Sequence, residues 1–227
     1  MKVQKPYLIE TKNYIQIYYG GTCNPEKLKT QRRSKITKFT RQSQKRLLEK
    51  IDTAFNFYPN YIMKFYFNKE VEVLNSNLIL LSFFVSFEKY FQHVVKKIPL
   101  VFWRKCFKEN EFWYECLTEI PPATNMKAFL YIANMYWKLK VGNQGKVELV
   151  HFYDKDKNLI IQNFCFENSE TDKEDVGRYW GMIYKKYYKF KKLKKKTYSA
   201  IEIKERTKNL KPLQSGKIKR YMFEKEN

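Results

Sequence analysis

The stretch that decides the fold runs from Leu100 to Thr118: LVFWRKCFKENEFWYECLT. Two runs rich in aromatic and apolar residues, LVFWRKCF and EFWYECLT, flank Lys108-Glu109-Asn110. A polar break of that length between two strand-forming runs turns the chain back on itself, so the pattern predicts a β-hairpin. Hairpin strands are antiparallel, which excludes an all-parallel sheet. Working outward, NYIQIYY (Asn13 to Tyr19) alternates and predicts a strand closed by Gly20-Gly21. SKITKFTRQSQKRLLEKIDTAF sets Ile36, Phe39, Ser43, Leu47 and Ile51 at helical spacing, with Ser34 available as N-cap. NYIMKFYF (Asn60 to Phe67) and KVELVHFY (Lys146 to Tyr153) predict strands, and NLIIQNFCFEN predicts a strand or a short helix. Leu78 to Lys97 predicts a largely buried helix ended by Pro99, and NMKAFLYIANMYWKLKV a helix closed by Gly142. Strands and helices therefore alternate around an antiparallel hairpin. The expected architecture is α+β, an antiparallel sheet with helices packed on it.

Composition bounds the partner. Lys and Arg number 45 against 23 Asp and Glu, a net charge of +22 on 227 residues. Apolar residues at 44%, with 18 Phe, 18 Tyr and 4 Trp, exclude a chain that cannot build a core. An excess of that size repels itself when the chain compacts, and it points to a polyanionic partner. Charge is unevenly spread. From Lys185 onward the chain carries 16 basic and 4 acidic residues, which makes residues 1–184 a folded domain and 185–227 a Lys-rich extension, expected to be partly disordered until bound. No membrane partner is expected, because LILLSFFVSF (Leu78 to Phe87) is short for a span and the Lys tract has no clean apolar face. The Met1 end lacks the apolar core of a secretory signal, so a cytoplasmic or organelle-matrix location is expected. Cys23, Cys106, Cys116 and Cys165 stand apart with no CxxC pair, which implies reduced thiols and no zinc site.

Two basic segments are candidate nucleic-acid contacts. The first contributes Arg32, Arg33, Lys35, Lys38, Arg41, Lys45 and Arg46, with Glu49 as its one acid between Lys29 and Lys50. On a helix, Lys38, Arg41 and Lys45 fall along one face, at spacings suited to a phosphate backbone. The second is YKKYYKFKKLKKK, with Lys185, Lys186, Lys189, Lys191 and Lys192 interleaved with Tyr187, Tyr188 and Phe190. Rings among ammonium groups suit single-stranded nucleic acid, and the same rings equally suit packing on a core. Arg178, in the box GRYWG (Gly177 to Gly181), is a further candidate for a phosphate or a carboxylate. Catalytic signatures are sparse. Histidine occurs twice, as His93 and His151, and no HxH or HExxH spacing exists.

The order of RRSKITKFTRQSQKRLLEKID, a strand, a helix, WRKCFKENEFWYECL and a late VGRYWGMI resembles the replication-associated proteins of plasmids and filamentous phages, the gene II protein-like branch of rolling-circle initiators. The resemblance spans Tyr14 to Ile183. It implies an antiparallel sheet whose strand carries a His-hydrophobe-His motif that holds a metal, followed by a segment with a tyrosine nucleophile. Here the matching strand reads NEFWYECL, so Phe112 and Tyr114 stand in place of the histidines with Trp113 between them. The later segment, IIQNFCFEN, has no tyrosine. What the resemblance implies is a DNA-binding, replication-associated protein with a degenerate site, acting on single-stranded or forked DNA and needing no cofactor. Two other readings stay open on the same residues. One is an active DNA-nicking enzyme using Mg or Mn held by carboxylates and another tyrosine, Tyr184 or Tyr153. The other is an RNA-binding or ribosome-associated protein.

Overall fold

The computed structural model describes residues 7–11, 13–18, 39–67, 75–108, 111–167, 178–193, 195–210 and 222–224. Its strands are β1 (Tyr7–Glu10), β2 (Tyr14–Tyr18), β3 (Tyr61–Tyr66), β4 (Val101–Lys108), β5 (Glu111–Thr118), β6 (Lys146–His151), β7 (Trp180–Ile183), β8 (Lys195–Thr197) and β9 (Met222–Glu224). Its α-helices are α1 (Arg41–Thr53), α2 (Ser76–Tyr90), α3 (Met126–Val141), α4 (Lys157–Phe166) and α5 (Ala200–Thr207). The fold is α+β with antiparallel sheets, as the hairpin requires.

Contacts divide the chain into two compact units. One gathers Met1–Ser34, Leu48–Ala54 and Phe190–Asn227; the other gathers Lys35–Leu47 and Phe55–Lys189. These limits follow packing, whereas the expected boundary at 184/185 follows charge. In the first unit a four-stranded sheet has the order β8-β1-β2-β9. Leu8, Ile9, Tyr14 and Ile17 are buried, and the Asn13 backbone N–H donates to Asp52 Oδ2 at 3.1 Å. Within the stretch expected to be a loose extension, β8 pairs with β1 and α5 starts on a capping box. The Ser199 hydroxyl accepts from the Glu202 N–H, and the Glu202 carboxylate accepts from the Ser199 N–H at 2.7 Å, satisfying two helix-end donors reciprocally.

The second unit holds a five-stranded sheet in the order β6-β3-β5-β4-β7, every neighbour antiparallel and β5 in the middle. Strand alternation gives the sheet two different faces. Met63, Phe65, Val101, Trp103, Tyr114, Cys116 and Val147 point to one of them and form the core with Phe83, Phe84 and Phe87 of α2 and Phe129 and Trp137 of α3. The rings meet edge to face, as in Phe65–Trp137 at 5.0 Å and Phe83–Phe84 at 5.1 Å, the arrangement their quadrupoles favour. Trp137 sends its indole N–H to the Tyr66 carbonyl at 2.8 Å, so its one polar atom is satisfied.

Several local expectations are refined. The helix expected from Ser34 begins at Arg41, and the Thr40 hydroxyl accepts from the Ser43 N–H at 3.3 Å; Ser34 lies outside the described residues. The helix expected over Leu78 to Lys97 is α2, continued by a π-helical turn Phe91–Val95 and stopped by Lys96 in the left-handed region at φ 56°. Together they make 20 residues that contain an 18-residue window of mean hydropathy 1.3, apolar and long enough to span a bilayer by composition; here Leu80, Phe83, Phe84, Phe87 and Phe91 are buried in the core. NLIIQNFCFEN forms helix α4. Gly142 closes α3 as expected, at φ 88° and with its N–H on the Lys138 carbonyl.

The GRYWG box has a packing reason at its second glycine. A Cβ on Gly181 would lie 2.6 Å from the Trp103 ring of the neighbouring strand, closer than any side chain tolerates. Gly181→Ala is therefore expected to lower stability by about 1–3 kcal/mol in urea unfolding. Trimming the obstacle with Trp103→Leu should make the double variant less costly than the sum of its parts.

Candidate nucleic-acid interface

The residues singled out for phosphate contact fall into three groups. Arg32, Arg33, Lys35 and Lys38 lie outside the described residues. Arg41 and Arg46 are exposed on α1 and Lys45 is half-buried. Arg178 is exposed beside β7, as are Lys185, Lys186 and Lys189 in the same unit and Lys191 and Lys192 in the other.

In the lysine tract the two kinds of side chain separate. Tyr184 is buried, and its hydroxyl donates to the Phe84 carbonyl; Tyr188 donates to the Ile98 carbonyl at 3.0 Å. Tyr187 stays exposed, held by its hydroxyl on Glu88 at 2.7 Å with the Lys186 ammonium 4.7 Å from its ring centre. So Tyr184 and Tyr188 anchor the segment while the ammonium groups point to solvent. That arrangement offers a fixed cationic edge, able to meet phosphates with little further ordering. It also removes Tyr184 as a nucleophile: burial pushes its pKa up, nearby Glu88 adds to the shift, and the carbonyl partner holds the proton.

On the central strand Phe112 and Tyr114, which by sequence alone could stack on bases or pack in the core, belong to the core. Tyr114 is 0% exposed, sharing a hydrogen bond with the Ser76 hydroxyl and donating to the side-chain Oδ1 of Asn77. Phe112 is half-buried and stacks on Phe67 at 4.8 Å. Both face α2 and α3, because residues two apart on a strand share a face, and that face is the core. They are structural. The opposite face of β5 shows Trp113 and Glu115 instead.

That opposite face holds the charged residues that the sequence reading passes over. Register sets Arg104 of β4 and Lys64 of β3 opposite Glu115, and Glu148 of β6 opposite Lys64, a row of alternating sign. Glu115 Oε2 accepts from Arg104 Nε at 3.0 Å and Nη2 at 2.6 Å, and its Oε1 takes Lys64 Nζ at 3.4 Å and the Trp113 indole N–H at 3.4 Å. Arg104 is 2% exposed and spends its remaining donors on Glu167 at 2.6 Å and on the Asn163 carbonyl at 3.2 Å. Phe164 of α4 lies under the guanidinium, 5.2 Å away. A cleft of about 200 Å³ opens between α4 and this face, lined by Lys64, Arg104, Glu115, Asn163 and Glu167. Two cations there answer two carboxylates, and Arg104 bridges both acids. The cleft is thus electrostatically satisfied, and the charge available to a polyanion sits on the exposed groups.

Burial alone would raise the pKa of Glu115, and the Arg104 guanidinium, its hydrogen bonds and Lys64 outweigh that, holding the carboxyl below the usual carboxylate range. Burial pushes the Cys106 and Cys165 thiols well up, and Cys116 likewise, which leaves all three protonated and unreactive. A hairpin closed at Lys108 and Glu111 sets Arg104 across from Glu115, so the pair was available to a reader who counted register from the turn. No family model matches this chain, and no curated protein or solved structure matches it.

Removing one partner of a buried pair leaves the other uncompensated. Glu115→Gln is expected to cost about 3 kcal/mol at neutral pH, softened by the contacts Arg104 keeps with Glu167 and Asn163. Because the folded carboxyl titrates below its unfolded value, its contribution is complete above a pH of about 4.3 and is lost as pH falls through the lower folded pKa. Urea melts across that acidic window should show the parent losing stability more steeply than Glu115→Gln.

Proposed function

We propose that this chain is a DNA-binding, replication-associated protein that holds single-stranded or forked DNA without nicking it. The observation that carries the reading is the orientation of β5, the strand that corresponds, by resemblance, to the metal-binding strand of the rolling-circle initiators. It is the middle strand of five, and Phe112 and Tyr114, at the positions of the two histidines, are committed to the core. The segment matched to the nucleophile is α4, which packs its Phe164 and Asn163 against Arg104 and has no tyrosine. Chemistry at a scissile phosphate needs a cation and a nucleophile, and neither set of residues supplies them.

Binding is a separate capacity, and charge supports it. A net +22 leaves many more cations than the carboxylates can answer, and Arg41, Arg46, Arg178, Lys185, Lys186 and Lys189 project from one unit into solvent. Each phosphate neutralised releases counterions from the strand, so affinity falls with salt.

Mobility-shift titrations against a single strand and a fork at graded NaCl are expected to give steep, linear log–log plots. Replacing Lys185 and Lys186 with alanine should lower the slope by about one to two. Binding that is absent, or indifferent to salt, sinks the proposal. Incubation of the purified protein with Mn and a labelled strand should leave no covalent adduct on a denaturing gel; an adduct would establish the nicking enzyme instead.

A further inference from the structure

At the end of the five-stranded sheet where β3 begins and β6 ends, three rings form a chain of contacts, with Tyr61 half-buried against the hydrophobic core and the other two exposed. Tyr61 and His151 stand opposite each other in register with their ring centres 4.9 Å apart. His151 in turn meets Tyr153 edge-on at 4.8 Å. Tyr58, three residues before Tyr61, carries the Lys157 ammonium 5.3 Å from its ring centre. Tyr58 is 57% exposed and Tyr153 65% exposed, and His151 is exposed as well. Single aromatic residues on a surface are ordinary; a contiguous run of them in contact with one another marks an interaction site.

The run is held in place from behind. Asn60 donates its backbone N–H to the Thr118 carbonyl at 3.1 Å and accepts the Phe152 N–H at 3.0 Å. Its side-chain amide meets both the N–H and the carbonyl of Ile120 at 2.9 Å. The Tyr58–Tyr61 segment is thereby pinned to the ends of β5 and β6, and the rings are set before any ligand arrives. Local charge is near balance: Lys155 and Lys157 stand among Asp154 and Asp156, and Lys97 pairs with Glu119 at 2.6 Å. A patch without net positive charge is a poor phosphate site. Its chemistry is that of exposed π-faces, which every base can meet.

We propose that Tyr61, His151 and Tyr153 form a stacking platform for the unpaired bases of single-stranded DNA. The platform rests on the DNA-binding reading and adds what the lysines do not supply: a contribution that depends on bases and survives salt. Phosphates are held by the exposed cations, and the rings favour a strand whose bases are free, which would bias the protein toward single strands over duplex.

The test compares two fluorescently labelled strands of about 16 units, one of thymidines and one of abasic sugar-phosphates, by anisotropy with the full chain. The parent is expected to bind the thymidine strand at least about tenfold more tightly, and to keep that ratio as salt is raised. His151→Ala with Tyr153→Ala should bring the ratio close to one while leaving the salt slope and the affinity for the abasic strand unchanged. Tyr153→Phe, which keeps the ring, should retain the preference, and circular dichroism melts confirm that the variants are folded. Full thymidine preference in the double variant overturns the platform and leaves the DNA-binding reading standing. Failure of the parent to bind either strand overturns the DNA-binding reading itself. Tighter binding of a matched uridine RNA than of the thymidine strand, lost in the double variant, would assign the rings to RNA and overturn the proposal for DNA.

Discussion

Arg104 and Glu115 face each other across β4 and β5, buried between the sheet and α4, and the rest of the larger unit is arranged around that pair. An ion pair of this kind adds little net stability over a well-packed apolar pair, since both charges surrender their water. What it does is fix register. A slip of one residue along β5 would carry Glu115 onto the face where Phe65, Phe83 and Trp137 pack, a face that already accommodates Lys105 with its ammonium over the Tyr114 ring. Lys64 and Glu148 extend the same row across β3 and β6, so four of the five strands are keyed by charges of alternating sign.

The keyed sheet then divides labour between its faces. One meets α2 and α3 through an aromatic core dense enough to bury Tyr114 and its partner Ser76 completely. The other keeps its charges internally matched under α4. Among the described residues neither face offers free cations, and the exposed ones sit on helix surfaces and in the tract after β7. There Tyr184 and Tyr188 are tied to the fold by backbone carbonyls and the lysines are left outward. A surface so divided suits a protein that grips a polyanion along its edge, which is the function proposed for it.

Much of this was legible in one dimension. Hydrophobic period separated strands from helices, the short polar break at Lys108 to Asn110 announced the hairpin, and Gly142 closed its helix where a positive φ was needed. The capping box in SAIE (Ser199 to Glu202) was equally plain, and it was hidden only by the charge count around it, which suggested a loose extension. Strand β1 is four residues long, too brief for its alternation to stand out. For Phe112 and Tyr114 the sequence left base stacking and core packing both open. Alternation shows only that they share a face, and which face is covered depends on helices elsewhere in the chain.

The sequence by itself determined the class of fold, the antiparallel hairpin, the ends of several helices and the sign of the chain's net charge, because each depends on local periodicity, turn chemistry or a sum over residues. Tertiary structure alone decided the rest. That Arg104 is answered by Glu167, that Tyr114 is core and Trp113 is not, and that Tyr61, His151 and Tyr153 meet at one end of the sheet are facts about residues up to about a hundred positions apart. Burial, pairing and ring contact are properties of neighbours in space. A chain names its residues in order, and only strand pairing and helix packing determine which of them become neighbours.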